Sequence, residues 1–390
     1  MSATAPLPVR HGPRDKSAVK ARAREGQEGI ARKVATYQPS TAFSRQLHGE
    51  VEAYFATTGK RKRDAPAMYL KTAVMMAWLF GSYLALLFLV STRWQAVACA
   101  VSLGLAMAGV GFNVQHDGNH GAYSRHAWIN RMMSLTLDLL GGTAYFWHFK
   151  HNIAHHTHPN IAGQDDDISL GFLGRVSPHQ RWRSFHRFQW IYMWLLYAVF
   201  ALQWQLGGEF RNLASKRWCG TTHVPFPPGK EHVIFWAGKL VFLTLAFGLP
   251  MVIHPIGNVI LTYLVAVVTL GLVLATVFQV AHVSDGAEFR APEAGGSAVA
   301  RPWAEHQVET TVNFARGSRV LNWYLGGLNH QIEHHLFPRV CHVHYAALSP
   351  IVEAVCRQHG VRYFSHPSML AALRAHARWL YVMGQRPRGD

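Results

Sequence analysis

The chain alternates between long apolar runs and polar stretches crowded with histidine and arginine. Five runs approach the roughly 20 apolar residues that a helix needs to cross a bilayer: residues 68–90, 94–114, 188–206, 233–253 and 256–281. Only Ser91, Thr92 and Arg93 separate the first two, and only His254 and Pro255 the last two, so each pair reads as a helical hairpin. The run at 188–206 differs. It carries Gln189, Gln203 and several Trp and Tyr, and Arg211, Lys216, Arg217 and Lys230 follow it. It reads as an interfacial or half-inserted helix. The pattern predicts an all-α integral membrane protein with four crossings in two hairpins, and with residues 1–67, 115–232 and 282–390 on one face. From Met369 to Met383, Leu and Ala alternate with Arg374, His376 and Arg378 as on an amphipathic helix.

Composition agrees. Hydrophobic residues make up 49% and charged residues 15%, against about 25% charged in a typical soluble domain. Lys and Arg number 38 against 21 Asp and Glu, a net charge of +17. Residues 1–67 hold thirteen of these cations against six acidic residues, which predicts a cytoplasmic N-terminus. That segment is polar and short of apolar periodicity, so it reads as a mobile tail. It has no secretory apolar core. Beside four spans, its charge suits anionic lipid headgroups better than nucleic acid. Four cysteines, Cys99, Cys219, Cys341 and Cys356, form no CxxC, which excludes a disulfide scaffold and a cysteine zinc ribbon.

Among the 25 histidines are three clusters, just after the second span, after a short connecting region and after the last span. HDGNH holds His116 and His120, HNIAHH holds His151, His155 and His156, and HQIEHH holds His330, Gln331, His334 and His335. His282 stands alone at the end of the last span. Spacings of three and four residues put imidazoles on one helix face, where they can converge on a metal. So many imidazoles exceed the four ligands of one zinc ion, which implies two metals. Imidazole suits Fe, Zn, Cu and Ni. No HExxH or carboxylate-bridged ExxH pair is present, which sets aside zinc proteases and soluble di-iron bundles. A neutral, all-nitrogen di-iron centre suits O2 activation. Asp117 and Asn119 in the first box, and Asp165, Asp166 and Asp167 after the second, stand ready to accept imidazole N–H groups; the acidic run equally suits a helix cap. Tyr145, Phe146 and Trp147 are candidates to line an acyl tunnel, or to anchor the interface as ordinary aromatics. Of the neighbouring histidines, His126, His158, His179, His186, His342 and His344 are set aside as ligands, while His148, three residues before His151, is kept as an additional candidate.

The strings QHDGNHGAYSRHAWINR (115–131), LDLLGGTAYFWHFKHNIAHHTHPNI (137–161), DDDI (165–168), FQVAHV (278–283) and LNHQIEHHLFP (328–338) resemble those of the integral-membrane fatty acid desaturases. The resemblance runs from about Met68 to Arg357, and Gln331 at the head of the third box resembles the front-end, linoleoyl-CoA-desaturase-like branch. It implies a membrane desaturase domain over 68–357, between the tail 1–67 and a C-terminal amphipathic segment 358–390, with a cytoplasmic helical cap. It further implies two irons ligated by His116, His120, His151, His155, His156, His282, His334 and His335, with His330 as a further candidate. Residues 1–67 lack the HPGG mark of a fused cytochrome b5 domain, and no GxGxxG or cysteine cluster offers a flavin, nicotinamide or iron–sulfur site. Electrons are therefore expected from a separate ferredoxin or cytochrome b5-type carrier with an NAD(P)H reductase. His158 and Pro159 stand where relatives often have an aromatic and Thr, so Asn160 is expected to sit differently.

The resulting expectation is an O2-dependent desaturase that introduces a cis double bond into a long acyl chain carried as acyl-CoA, on an acyl-carrier protein or in an acyl lipid. Its active site and both termini are cytoplasmic, and its layout resembles that of bacterial inner-membrane members. Gln331, Asp117 and Asn119 are the candidate catalytic groups, and Gln331 rather than His330 is expected to face the metals. A hydroxylase, ketolase or acetylenase on the same site is the alternative. A histidine-lined metal transporter would need ligands near the bilayer midplane, whereas the boxes fall at or beyond helix ends.

Overall fold

The computed structural model describes residues 36–165, 167–215, 224–291 and 298–387. Four of its helices are long and apolar enough to cross a membrane: Pro66–Phe88, Arg93–His120, Lys230–Ile253 and Ile256–His282. Proline in the first turn starts the first. The second begins at a capping box, in which Thr92 Oγ1 accepts from the Gln95 N–H and Gln95 Oε1 accepts from the Thr92 N–H. Trp78 Nε1 and Ser82 of the first span hydrogen-bond Ser102 of the second, at 2.9 and 2.8 Å. Small residues bring the second span against the fourth. A Cβ on Gly104 would lie 2.4 Å from the Ala266 carbonyl oxygen, so only glycine permits this approach. Outward faces carry exposed Leu70, Leu84, Leu240, Val252 and Leu261, as expected of surfaces that meet lipid.

The fifth apolar run forms helix Gln189–Gln203, 15 residues long. It runs on through the π turn Trp204–Gly208 into Glu209–Ser215, and it is not among the four helices long and apolar enough to cross a membrane. It crosses the fourth span at Gly271, where a Cβ would lie 2.8 Å from the carbonyl oxygens of Tyr197 and Ala198. Helix Met369–Gly384 packs over it as the amphipathic pattern predicts, burying Ala372, His376, Leu380 and Met383. The Gln189 Nε2 amide donates to the Leu380 carbonyl at 2.8 Å.

The region before the first span departs from the sequence reading. Residues 1–35 lie outside the described residues, but Ala42–Thr58 is a 17-residue helix and not a featureless tail. Phe43, Leu47, Val51 and Phe55 recur every fourth residue and are buried against Ile332, Leu336, Leu348 and Val352. One apolar residue per turn among charged neighbours leaves a mean hydropathy too low to register, although the stripe is enough to dock the helix. Strand pairs are few and short: Thr36–Gln38 beside Ala298–Pro302, and Asn313–Phe314 beside Ser365–His366.

Candidate metal centre

The first two ligand positions sit at the end of the second span. There the α-helix widens into a π turn, Gly111–Gln115, before His116–His120 closes it and Gly121, at φ +67°, ends it. Gly118 lets this end approach Met133 and Ser134, whose atoms would stand 2.7 Å from a Cβ. The second box is itself wound as a π-helix over His148–His155. This winding pairs residues five apart: the His156 N–H donates to the His151 carbonyl at 2.9 Å, and the two Nε2 atoms lie 3.2 Å apart. The α-helical arc assumed from sequence does not apply here. The π winding brings His151, His155 and His156 to one side. The third box is the short helix Gln331–Leu336, and His282 ends the fourth span.

These segments bring eight imidazoles together. Ligand atoms of His116, His120, His151 and His334 lie within 4.8 Å of one another, as do those of His155, His282 and His335, and those of His156, His334 and His335. All eight rings are buried. His116 offers two nitrogens without hydrogen-bond partners, and His120 Nε2, His155 Nε2, His156 Nδ1, His282 Nδ1, His334 Nε2 and His335 Nε2 are likewise unpartnered. Buried polar atoms are normally satisfied, so unpartnered nitrogens facing a shared space fit metal coordination. Burial pushes the imidazoles of His151, His156, His334 and His335 well below their ordinary range, which keeps them neutral as ligands. At His155 burial acts the same way, but Asp165 and Asp167 outweigh it and raise its pKa.

Supporting contacts fix ring orientation. The Asp165 carboxylate lies 3.1 Å from His155 Nδ1, Gln307 Oε1 lies 2.9 Å from His335 Nδ1, and Tyr345 Oη lies 3.4 Å from His334 Nδ1. Asp167 joins Lys150 Nζ at 2.8 Å, while Asp166 falls outside the described residues. Gln331 places its amide nitrogen 3.0 Å from His282 Nε2. His330 is buried but belongs to none of the three converging groups, and its Nδ1 lies 3.9 Å from Glu333. Asn119 directs its amide to Gln115 Oε1 at 2.8 Å, and exposed His148 meets Asn152. Trp147 stacks its ring 4.2 Å from that of His151, Phe146 is buried against Phe235 and Val224, and Tyr145 reaches the Pro225 carbonyl.

Two residues at this site were not named as supporting groups from the sequence. Asn160, at φ +56°, gives its side-chain amide to the carbonyls of His282, Glu288 and Thr310 and its N–H to Asp165. It thereby ties the second box to the end of the fourth span. Gln307 spans two ligand segments, meeting His335 and the His156 carbonyl. Neither lies in a box, and only tertiary convergence brings them in.

The family model for fatty acid desaturases matches residues 91–367, the stretch that contains every converging imidazole. The chain belongs to the fatty acid desaturase family. It is 39% identical to an sn-1 linoleoyl-lipid 6-desaturase of Synechocystis over 88% of this chain and 96% of that protein. An enzyme of the same description from Arthrospira platensis is 36% identical over 90% and 95%. An acyl-lipid (8-3)-desaturase of Physcomitrium patens is 36% identical over 86% of this chain and 70% of its own length. The chain is thus a membrane desaturase, and its buried histidine clusters suit two irons.

Proposed function

We propose that this desaturase inserts a cis double bond, by the front-end mode, into a long acyl chain carried on a membrane lipid. The convergence of eight buried imidazoles, seven of them with an unpartnered nitrogen, carries the reading. His116, His120 and His151 would hold one iron and His155, His282 and His335 the other, with His156 and His334 between them. When bound, the two irons supply the reduction of O2, with two electrons from a separate ferredoxin or cytochrome b5-type carrier, and the removal of two vicinal hydrogens as water. The protein's part is position and dryness. Asp165, Gln307 and Tyr345 orient ligand rings. Gln331 holds its amide against His282 Nε2 and so orients a ring whose Nδ1 is unpartnered. Asp117 supports His116, and Asn119 secures the helix end. The buried rings would keep water from the reacting carbons.

Four spans return the chain to its starting face, so both termini and the metal centre lie on the same side. Two hairpins then stand beneath a helical cap, with Gln189–Gln203 at the interface. Lys60, Arg61, Lys62 and Arg63 immediately before the first span favour the cytoplasmic face of a bacterial inner membrane. Gas chromatography–mass spectrometry of lipids from a host expressing the chain tests the function. A new cis-unsaturated acyl species is expected, absent with an empty vector or with His282→Ala. A hydroxylated product would move the chain to the alternative oxidation, and an unchanged profile in a host supplied with carrier and linoleoyl lipid would refute the reading.

A further inference from the structure

Beyond the eight imidazoles, one more buried group joins ionisable side chains from three segments. Asp117 follows His116 at the end of the second span, Cys341 and His342 follow the third box, and Lys71 lies in the second turn of the first span. Ligand atoms of Asp117, Cys341 and His342 lie within 4.8 Å of one another, as in a further metal site. Lys71 argues against a metal there, because its Nζ lies 2.9 Å from His342 Nε2 and takes that lone pair. An ammonium can only donate. Nε2 therefore accepts, and the ring proton sits on Nδ1. From Nδ1 it donates to Asp117 Oδ2 at 2.9 Å, and the His342 backbone N–H donates to the same oxygen at 3.1 Å. The other carboxylate oxygen, Oδ1, faces His116 Nδ1 at 3.9 Å. Donor and acceptor roles thus run in one direction, from the first span to the first histidine box. Lys71, His342 and Asp117 are all buried. A lysine buried in an apolar span is costly unless balanced, and Asp117 balances it across the neutral ring.

We propose that Lys71, His342 and Asp117 form a hydrogen-bonded strut that fixes the orientation and tautomer of His116, so that Lys71 and His342 are positioning residues for the metal centre. The proposal rests on the di-iron reading above. With Oδ2 held twice, the Asp117 carboxylate cannot turn away from His116. A carboxylate kept on the Nδ1 side favours the Nδ1–H tautomer and leaves the Nε2 lone pair facing the other ligands. At His155 a carboxylate ten residues away stands closer, with Asp165 3.1 Å from Nδ1; Asp117, at 3.9 Å, acts on His116 through its charge. The strut reaches His116 through a pair 271 residues apart, Lys71 and His342.

The test compares the iron-reconstituted full chain with Lys71→Met, His342→Leu and His342→Gln by iron content, Mössbauer quadrupole splitting, turnover and melting temperature. Glutamine at 342 can still accept from Lys71 and donate to Asp117. Lys71→Met and His342→Leu are expected to lose about 10–100-fold in iron affinity or turnover, with one of two quadrupole doublets shifted or missing. His342→Gln should recover most of both. Two unperturbed doublets in Lys71→Met, or equal damage and equal loss of melting temperature in both His342 variants, would overturn the strut. A wild-type chain that takes up no iron would overturn the centre itself, and the strut with it.

Discussion

At the scale of single residues, the converging imidazoles were legible because metal binding demands one residue type at helical spacings. What orients the ligands was not. Gln307 and Asn160 meet His335 and the His282 carbonyl from 28 and 122 residues away, Tyr345 meets His334 from 11, and no local pattern announces such a meeting. The third box illustrates the limit: spacing alone left His330 and Gln331 both open. Gln331 Nε2 lies 3.0 Å from His282 Nε2, while His330 stands outside the converging groups. His330→Ala is therefore expected to keep its iron and most of its turnover, and Gln331→Ala to lose most turnover. Iron analysis with an acyl-product assay checks this pair, and the reverse result would make the box a triad of histidines.

At the scale of elements, the four spans were visible because crossing a bilayer requires apolar composition along the whole helix. Helix Ala42–Thr58 was not, because packing on a protein surface needs only one face. Two elements carry their own tests. Lys239 of the third span donates to Glu209 Oε2 and to the Gly141 carbonyl, both at 2.6 Å, and Glu209 also accepts from Thr143 and Trp204. Lys239→Met would strand the Glu209 charge, at a cost of about 3–5 kcal/mol. Melting in detergent should show a large loss, and adding Glu209→Gln should restore most of it. In the C-terminal helix, His376 Nδ1 donates to the Val283 carbonyl and Nε2 accepts from the Tyr197 hydroxyl. Burial pushes its pKa down to about 4, from an ordinary value near 6.5. The unfolded chain then takes up the proton first as pH falls. The contribution of neutral His376 is complete above about 6.5 and shrinks towards about 4. His376→Gln should flatten the fall in melting temperature between pH 7 and 5. An unchanged slope would assign that fall to other groups.

At the scale of the molecule, the fourth span is the axis. The second span approaches it through Gly104, helix Gln189–Gln203 crosses it at Gly271, and it ends in His282. Ligands from separate stretches thus refer to one rigid rod. Two irons per chain are expected after expression in iron-replete medium, and one zinc without iron would refute the centre. A reporter fused at Asp390 should be cytoplasmic; an extracytoplasmic signal would break the parity of the four crossings. The π turns at Gly111–Gln115 and His148–His155 carry one further consequence. Each is a place where the helix holds more chain per turn than an α-helix does, so the loss of one residue there can be absorbed by a return to α winding, whereas the same loss in the regular helix before Gly111 would swing the imidazoles that follow by about 100°. A one-residue deletion within Gly111–Gln115 should therefore keep more iron than one within Ala106–Val110, where no extra residue exists to take up the change.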